Sequence, residues 1–347
     1  MSRAERLAFA VVFALSVAAV GLRAAGARGA IVFVVAAVAL AGLAWLLGEA
    51  TDQAGDTAGP RASALINASF GNLPEIVIVV LAIDAGLSDI ARASIIGSVI
   101  GNILLILGIS LLAGGWRHGI QTFNERVAAT NSSMLILGLV GLGLPTLFAA
   151  LHSGGDEARV LSDWTAGALL FSYVAYLFFS FNTPGLQFKD EPRPPRWSGR
   201  EAVAALVVTA LATGIVSEVL VHSIESAIRS LGVPRAFVGL VVVPFVGNVA
   251  EHFSAVRLAA RNRVDFAMGI AYGSGIQIAL GASGIAVFAS IALGNELTLV
   301  FDPLQLAALG AAAVGSTLVA RGGETNWLEG LQLLAVYLIV AVAVWLR

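Results

Sequence analysis

Gly71-Asn72-Leu73-Pro74-Glu75 and Gly247-Asn248-Val249-Ala250-Glu251 decide how this chain is read. Each sets a carboxylate near the middle of a stretch apolar enough to cross a bilayer, where a lone charge costs roughly 2.5 kcal/mol or much more. The two runs lie 176 positions apart, and a second pair, Gly97-Ser98 and Gly273-Ser274, repeats at the same offset without a gap. Two matched pairs in register point to an internal duplication.

Composition agrees with a membrane location. Hydrophobic residues make up 58% of the chain and charged residues only 12%, where a soluble domain carries about 25% charged residues. Mean hydropathy is +0.89. A net charge of -2 and the lack of a broad basic stretch give no sign of a nucleic-acid partner, and the absence of cysteine excludes disulfides, thiolate metal sites and cysteine nucleophiles. The expected surroundings are a lipid bilayer, and a homo-oligomer is left open.

The apolar stretches predict an all-α polytopic protein of about eleven spans, near 7–22, 31–48, 62–84, 92–113, 129–150, 161–181, 201–222, 236–259, 266–292, 299–320 and 327–346. The first span also fits a signal peptide, with Arg3 and Arg6 ahead of it and Ala24-Ala25-Gly26-Ala27 behind. With the N-terminus in the cytoplasm, 13 of the 20 Lys and Arg residues fall on the inner side and 7 on the outer. The positive-inside rule therefore predicts the N-terminus inside and, after eleven spans, the C-terminus outside, in the cell membrane.

Span parity orients the duplication. The two Gly-Asn motifs fall in the third and eighth spans, five crossings apart, so their helices run in opposite directions and the repeat is inverted. The predicted organisation is an N-terminal helix in residues 1–28, one five-helix half in 29–181, a cytoplasmic linker in 182–200 and a second half in 201–347. The linker carries Pro184, Pro192, Pro194 and Pro195 and few apolar residues.

Within each motif, glycine permits close backbone approach, and proline has no N–H for the carbonyl four residues back. Pro74 should free the carbonyl of Phe70, and Pro244 that of Leu240. In hydrocarbon a free carbonyl needs a partner, and a cation is one. Two carboxylates, freed carbonyls and the amides of Asn72 and Asn248 form an oxygen-only donor set suited to calcium, which takes six to eight oxygens at about 2.3–2.6 Å. Asn72, Asn248, Asn102 and Gln277 equally fit plain interhelical hydrogen bonding. His252, beside Glu251, reads either as a proton partner or as a capped interior imidazole. Glu49 and Asp56 are seven apart, as are Glu218 and Glu225, so each pair shares a face if its helix continues. All four are candidates for vestibules or a proton path to the central site, Glu49 and Glu218 foremost, while Glu225 and Asp56 better fit a solvated surface; Asp52 reads as a loop acid.

Several runs resemble the calcium/proton antiporters of the calcium/cation antiporter superfamily: Leu46–Asp52 (LLGEATD), Asn67–Ile76 (NASFGNLPEI), Gly97–Gly108 (GSVIGNILLILG), Gln121–Asn124 (QTFN), Asn131-Ser132, Pro244–His252 (PFVGNVAEH) and Gly273–Leu280 (GSGIQIAL). The likeness runs from about residue 40 to the C-terminus. It implies one regulatory helix ahead of two inverted five-helix repeats, with Glu75 and Glu251 as shared Ca2+ and H+ carriers. It further implies that Asn72, Asn248, Gly71 and Gly247 shape the site, and that Ser98, Asn102, Ser274 and Gln277 face it. The transported ions are Ca2+ and H+, and no cofactor is implied. Two departures stand out: Gly275 replaces a usual hydroxyl residue, and only Asp190 and Glu191 represent the acidic helix often found between the halves.

Two carboxylates sharing a low-dielectric site resist ionising together, and one divalent ion or two protons neutralise them equally well. That predicts a secondary transporter working by alternating access. The nearest rival is a sodium/calcium exchanger, which should need extra polar residues where Leu73, Val249 and Ala250 stand. An intramembrane metalloprotease is more remote, because Glu251-His252 is the only Glu-His pair and no HExxH motif accompanies it. A channel would usually build its pore from several chains.

Overall fold

In the computed structural model, residues 1–152, 155–183 and 195–347 are described, apart from the side chains of Pro60, Arg61 and Ala64. Pro184, Pro192, Pro194, Lys189, Arg193, Asp190 and Glu191 of the expected linker lie outside these residues.

The chain opens with α1 (Arg3–Ala24) and α2 (Gly29–Ala58). The first motif helix comes in two pieces, α3 (Pro60–Phe70) and α4 (Leu73–Asp84), and is followed by α5 (Ser88–Ile100) and α6 (Leu107–His118), joined by a π-helical turn at Gly101–Ile106. Two long helices, α7 (Glu125–Leu151) and α8 (Gly155–Asn182), complete the first part. The second part begins with α9 (Gly199–Leu231) and continues with the short α10 (Arg235–Phe237), a π turn at Val238–Val242, α11 (Val243–Gly247) and α12 (Val249–Ala259). It ends with α13 (Val264–Ile276), a π turn at Gln277–Ala282, α14 (Ser283–Leu293), α15 (Pro303–Val319) and α16 (Trp327–Trp345). The β structure among the described residues is one antiparallel pair, Gln121–Thr122 with Glu324–Thr325.

Among the described residues nine helices are long and apolar enough to cross a membrane, and the pair from Arg235 to Ala259, bent by 63° at Asn248, makes a tenth. α15, with 17 residues, stands at the lower limit of a crossing. It is shorter than the expected 299–320 for a local reason. Residues 295–302 form no helix, and side chains satisfy part of their backbone: Leu297 N–H donates to Ser290 Oγ, Leu299 N–H to Ser162 Oγ and Phe301 N–H to Thr146 Oγ1. Asp302 then starts the helix as its N-cap, in a capping box with Gln305.

α2 continues to Ala58 and α9 to Leu231, so each seven-residue acid pair does share one helix. The main core runs through α5, α13 and their π turns, in which most residues are buried. The two π turns that interrupt these helices begin at Gly101 and Gln277, 176 residues apart, the same offset as the Gly-Asn motifs. A π turn leaves backbone groups out of the regular ladder and is frequent at functional sites.

One seam shows how tightly these elements meet. A Cβ added at Gly97 of α5 would lie 2.1 Å from the carbonyl oxygen of Leu240 and 2.6 Å from Pro244 Cγ. The carbonyl that Pro244 was expected to free is thus packed against the Cα of Gly97. Gly273, the repeat mate of Gly97, has nothing within 4 Å of such a Cβ. Gly97→Ala should cost about 1–3 kcal/mol or more through overpacking against backbone, whereas Gly273→Ala should be neutral or slightly stabilising. Thermal unfolding in detergent checks the contrast, and equal melting of the two variants would contradict the seam.

Candidate functional site

Both motifs break their helices at asparagine. α3 ends at Phe70 and α4 starts at Leu73 with Pro74 in its first turn, and Asn248 separates α11 from α12. The breaks turn polar side chains into the middle of the bundle, where they meet α5, the first π turn and α13.

There Asn102 Nδ2 donates to Asn248 Oδ1 at 3.1 Å and to the Ser98 carbonyl at 2.8 Å. Asn248 Nδ2 donates to the Pro244 carbonyl at 2.9 Å and to Ser98 Oγ at 3.5 Å. Ser274 Oγ donates to Asn72 Oδ1 at 2.6 Å and reaches Asn248 Oδ1 at 3.5 Å. One network therefore joins Asn72, Ser98, Asn102, Asn248 and Ser274, all of them buried. Gln277 is pinned at its edge, donating to the Ala68 carbonyl at 2.8 Å.

The carboxylates border this network. Glu75 is buried and is an electrostatic neighbour of Glu251. Gly247 is what lets Glu75 in, because a Cβ there would sit 2.8 Å from Glu75 Oε1. Gly71 has no such role in this state, since a Cβ there would meet only Asn67 of its own helix. Both carboxylate oxygens of Glu75, Oε2 of Glu251 and Oδ1 of Asn102 are buried without a hydrogen-bond donor. A buried acceptor left unpaired costs about 1–3 kcal/mol, more if charged. Four such oxygens around one network are therefore an unmet demand for positive charge. Among the described residues no group of three or more His, Asp or Glu is arranged to hold a metal, so an ion here would draw its further ligands from amide, hydroxyl and carbonyl oxygens.

The site is closed on one side and bare on the other. In α4, Pro74, Glu75, Ile78, Val79, Ala82 and Ile83 are buried, and α11 with its preceding π turn is buried along most of its length. Beyond the breaks, no described side chain of α3 is buried, and only Ala255 and Ala259 are in α12. Polar Asn67, Ser69 and Ser254 are exposed there.

The remaining candidates lie elsewhere. Glu218 is half exposed on α9 and paired with Arg23 of α1 at 3.4 Å; the charge that reaches it belongs to the first helix, and none of its described contacts joins it to the central network. Glu49 is held by Arg196, which also bonds Glu5 at 2.9 Å, and the Arg196 N–H donates to Gln53. Trp197, buried beside them against Phe9, donates its indole N–H to Glu5. The His252 ring lies against Phe245, with centroids 5.0 Å apart. Asn131 accepts from Tyr176 and Ser132 meets Thr317, so both serve helix packing. Gly275 faces Ile103 and Leu135 rather than the polar network.

Two residues were missed. Asp52 is not a loop acid but part of α2, and it is an electrostatic neighbour of Glu251; its place three residues after Glu49 on one helix was the available signal. Gln121 is buried and donates to the Ala259 carbonyl at 3.1 Å and to Asn262 Oδ1 at 2.8 Å, capping the end of the helix that carries Glu251. No local pattern announces that contact, which spans 138 residues.

The chain is matched over residues 28–182 and 201–346 by the family described as sodium/calcium exchanger protein. It is 34% identical over 339 residues to the Ca(2+)/H(+) antiporter of Synechocystis, covering 90% of each chain. To the Ca(2+)/H(+) antiporter ChaA of Bacillus subtilis it is 35% identical over 325 residues, covering 91% of this chain and 92% of that one. Among solved structures, native YfkE superposes with a TM-score of 0.86 at 32% identity, covering 98% of this chain and 100% of the other.

Proposed function

This chain belongs to the sodium/calcium exchanger protein family, in its Ca2+/H+ antiporter branch, and on that premise we propose that it exchanges cytoplasmic Ca2+ for external H+ by alternating access, with Glu75 and Glu251 as the shared carriers. The observation that carries the assignment of the carriers is the set of buried, unpaired oxygens on Glu75, Glu251 and Asn102. Either one divalent cation or two protons would satisfy them. Calcium fits the donor chemistry, which is all oxygen and partly anionic.

The two halves act as inverted repeats about this site. Burial of α4 after its break and of α11 before its break, with the opposite ends bare, is what two antiparallel motif helices produce when one face of the membrane is sealed. In the orientation read from Lys and Arg, with the N-terminus in the cytoplasm and the C-terminus outside the cell, the bare face is cytoplasmic.

The test of the exchange is ion flux in sealed everted vesicles. An acid-inside gradient should drive Ca2+ uptake with or without sodium; uptake that follows a sodium gradient and ignores pH would assign the coupling ion to sodium instead. The orientation is tested separately, on a chain with no native cysteine. Cysteines at Ser88 and Gly232 should react with an impermeant thiol reagent from outside, and those at Ser198 and Asn262 from the cytoplasm. Labelling of Ser88 and Asn262 from the same side would refute the inverted arrangement.

A further inference from the structure

The closed face carries a charge cluster that the transport site does not use. Arg235, the first residue of α10, sends its guanidinium to both carboxylate oxygens of Asp89 at the start of α5 and to Glu225 near the end of α9; its Nη2 lies 3.1 Å from Asp89 Oδ1. A planar fork held by two carboxylates, one of them bidentate, fixes three elements together more firmly than an isolated surface pair. Directly inward lies the seam that closes the site. There Ser94 Oγ donates to the Gly239 carbonyl at 3.3 Å, and the Leu240 carbonyl presses on Gly97.

The internal repeat supplies the second observation. At the offset of 176, Asp89 corresponds to Asp265, Glu225 to Glu49 and Gly97 to Gly273. The same tripeptide, Pro60-Arg61-Ala62 and Pro234-Arg235-Ala236, also occurs near the start of both motif helices, at an offset of 174, two positions out of that register. The acids of one face thus have counterparts on the other, yet there they are taken by different partners. Asp265 accepts the Asn124 N–H at 2.6 Å, Glu49 pairs with Arg196, and Gly273 faces open space.

We propose that Arg235, Asp89 and Glu225 form an ionic latch that holds one face of the transporter closed, whereas on the opposite face their repeat counterparts Glu49 and Asp265 hold Arg196 and the Asn124 N–H instead. Exposing the site to the closed face requires Arg235 to leave Asp89, because α10 and its π turn cannot part from α5 while the two are joined. Arg196, arriving from the segment between the halves, keeps Glu49 neutralised while its own face is open. The inference rests on the alternating-access reading, but its test reads accessibility rather than transport.

In the cysteine-free chain, Ser94→Cys reports on the closed seam, where Ser94 is 3% exposed, and Ile270→Cys reports on its repeat mate. The protein is reconstituted in nanodiscs without calcium, so that a polar maleimide reaches both faces, and labelling rates are compared. Arg235→Gln should speed labelling at Ser94→Cys about tenfold and slow it at Ile270→Cys, since a shift between two states moves the faces in opposite senses. The charge exchange Arg235→Glu with Asp89→Arg should return both rates toward the parent. Raising salt should speed Ser94→Cys labelling in the parent and not in Arg235→Gln, because the half-exposed pairs are screened. Rates unchanged by Arg235→Gln, or rising together at both reporters as in general loosening, would overturn the latch. A chain that carries no calcium at all but shows the opposed rates would instead overturn the choice of transported ion and leave the latch standing.

Discussion

Glu75→Gln and Glu251→Gln should each reduce proton-coupled calcium flux at least about a hundredfold while the protein still folds and inserts. Glutamine nearly keeps the volume and one oxygen, so the packing around Gly247 survives, but it removes one of the two exchangeable charges. What remains is a site with a single carboxylate that can neither balance a divalent ion nor exchange two protons. Both variants should melt near the parent temperature, and neither should bind calcium measurably in detergent. Retention of more than a few per cent of the flux in either variant would remove that residue from the carrier pair. Because the two carboxylates serve as one exchangeable pair, a double variant should be no worse than either single one. Residues that act as a unit are non-additive in this way.

The second large effect is proton competition. Calcium binding needs both carboxylates free of protons, so lowering the pH adds protons to the empty site and weakens binding; raising it does the reverse. Where two protons leave per calcium bound, apparent affinity should fall about a hundredfold per pH unit, and about tenfold where only one leaves. Measuring calcium affinity against pH at fixed sodium, then against sodium at fixed pH, separates this from sodium coupling. An affinity flat in pH and steep in sodium would overturn the proposed coupling ion.

Much of the central site was legible because it rests on local chemistry. A carboxylate in an apolar stretch must be satisfied, and Glu75 and Glu251 recur at a fixed offset with Asn72, Asn248, Ser98 and Ser274 around them. The structure joins these four polar residues and Asn102 into one network. The helix breaks fall at the Gly-Asn step of each motif, with Pro74 opening α4 in the first. The π turns at Gly101 and Gln277 were not legible, since a single extra residue per turn leaves the apolar pattern of a wholly buried helix unchanged. Glu218 looked deep by position in its span, but depth along a helix does not say which face a side chain occupies, and Arg23 draws it to the side of the bundle. Asp52 looked like a loop acid because the polar end of α2 reads as solvated, although the helix continues past it and packs against α12.

By itself the sequence determined that this is a helical membrane protein built on a duplicated motif, with two buried carboxylates in need of cations, because burial of charge and fixed spacing are properties of the chain alone. Only the tertiary structure decided which face of the site is closed, that Gly97 and not Gly273 bears a carbonyl, and that Arg235 spans Asp89 and Glu225 while Glu49 is left to Arg196. The two halves carry the same motif residues at a fixed offset, so the sequence describes both faces alike. What distinguishes them is how one half is packed against the other, chiefly through contacts between residues more than a hundred positions apart, such as Arg235 with Asp89.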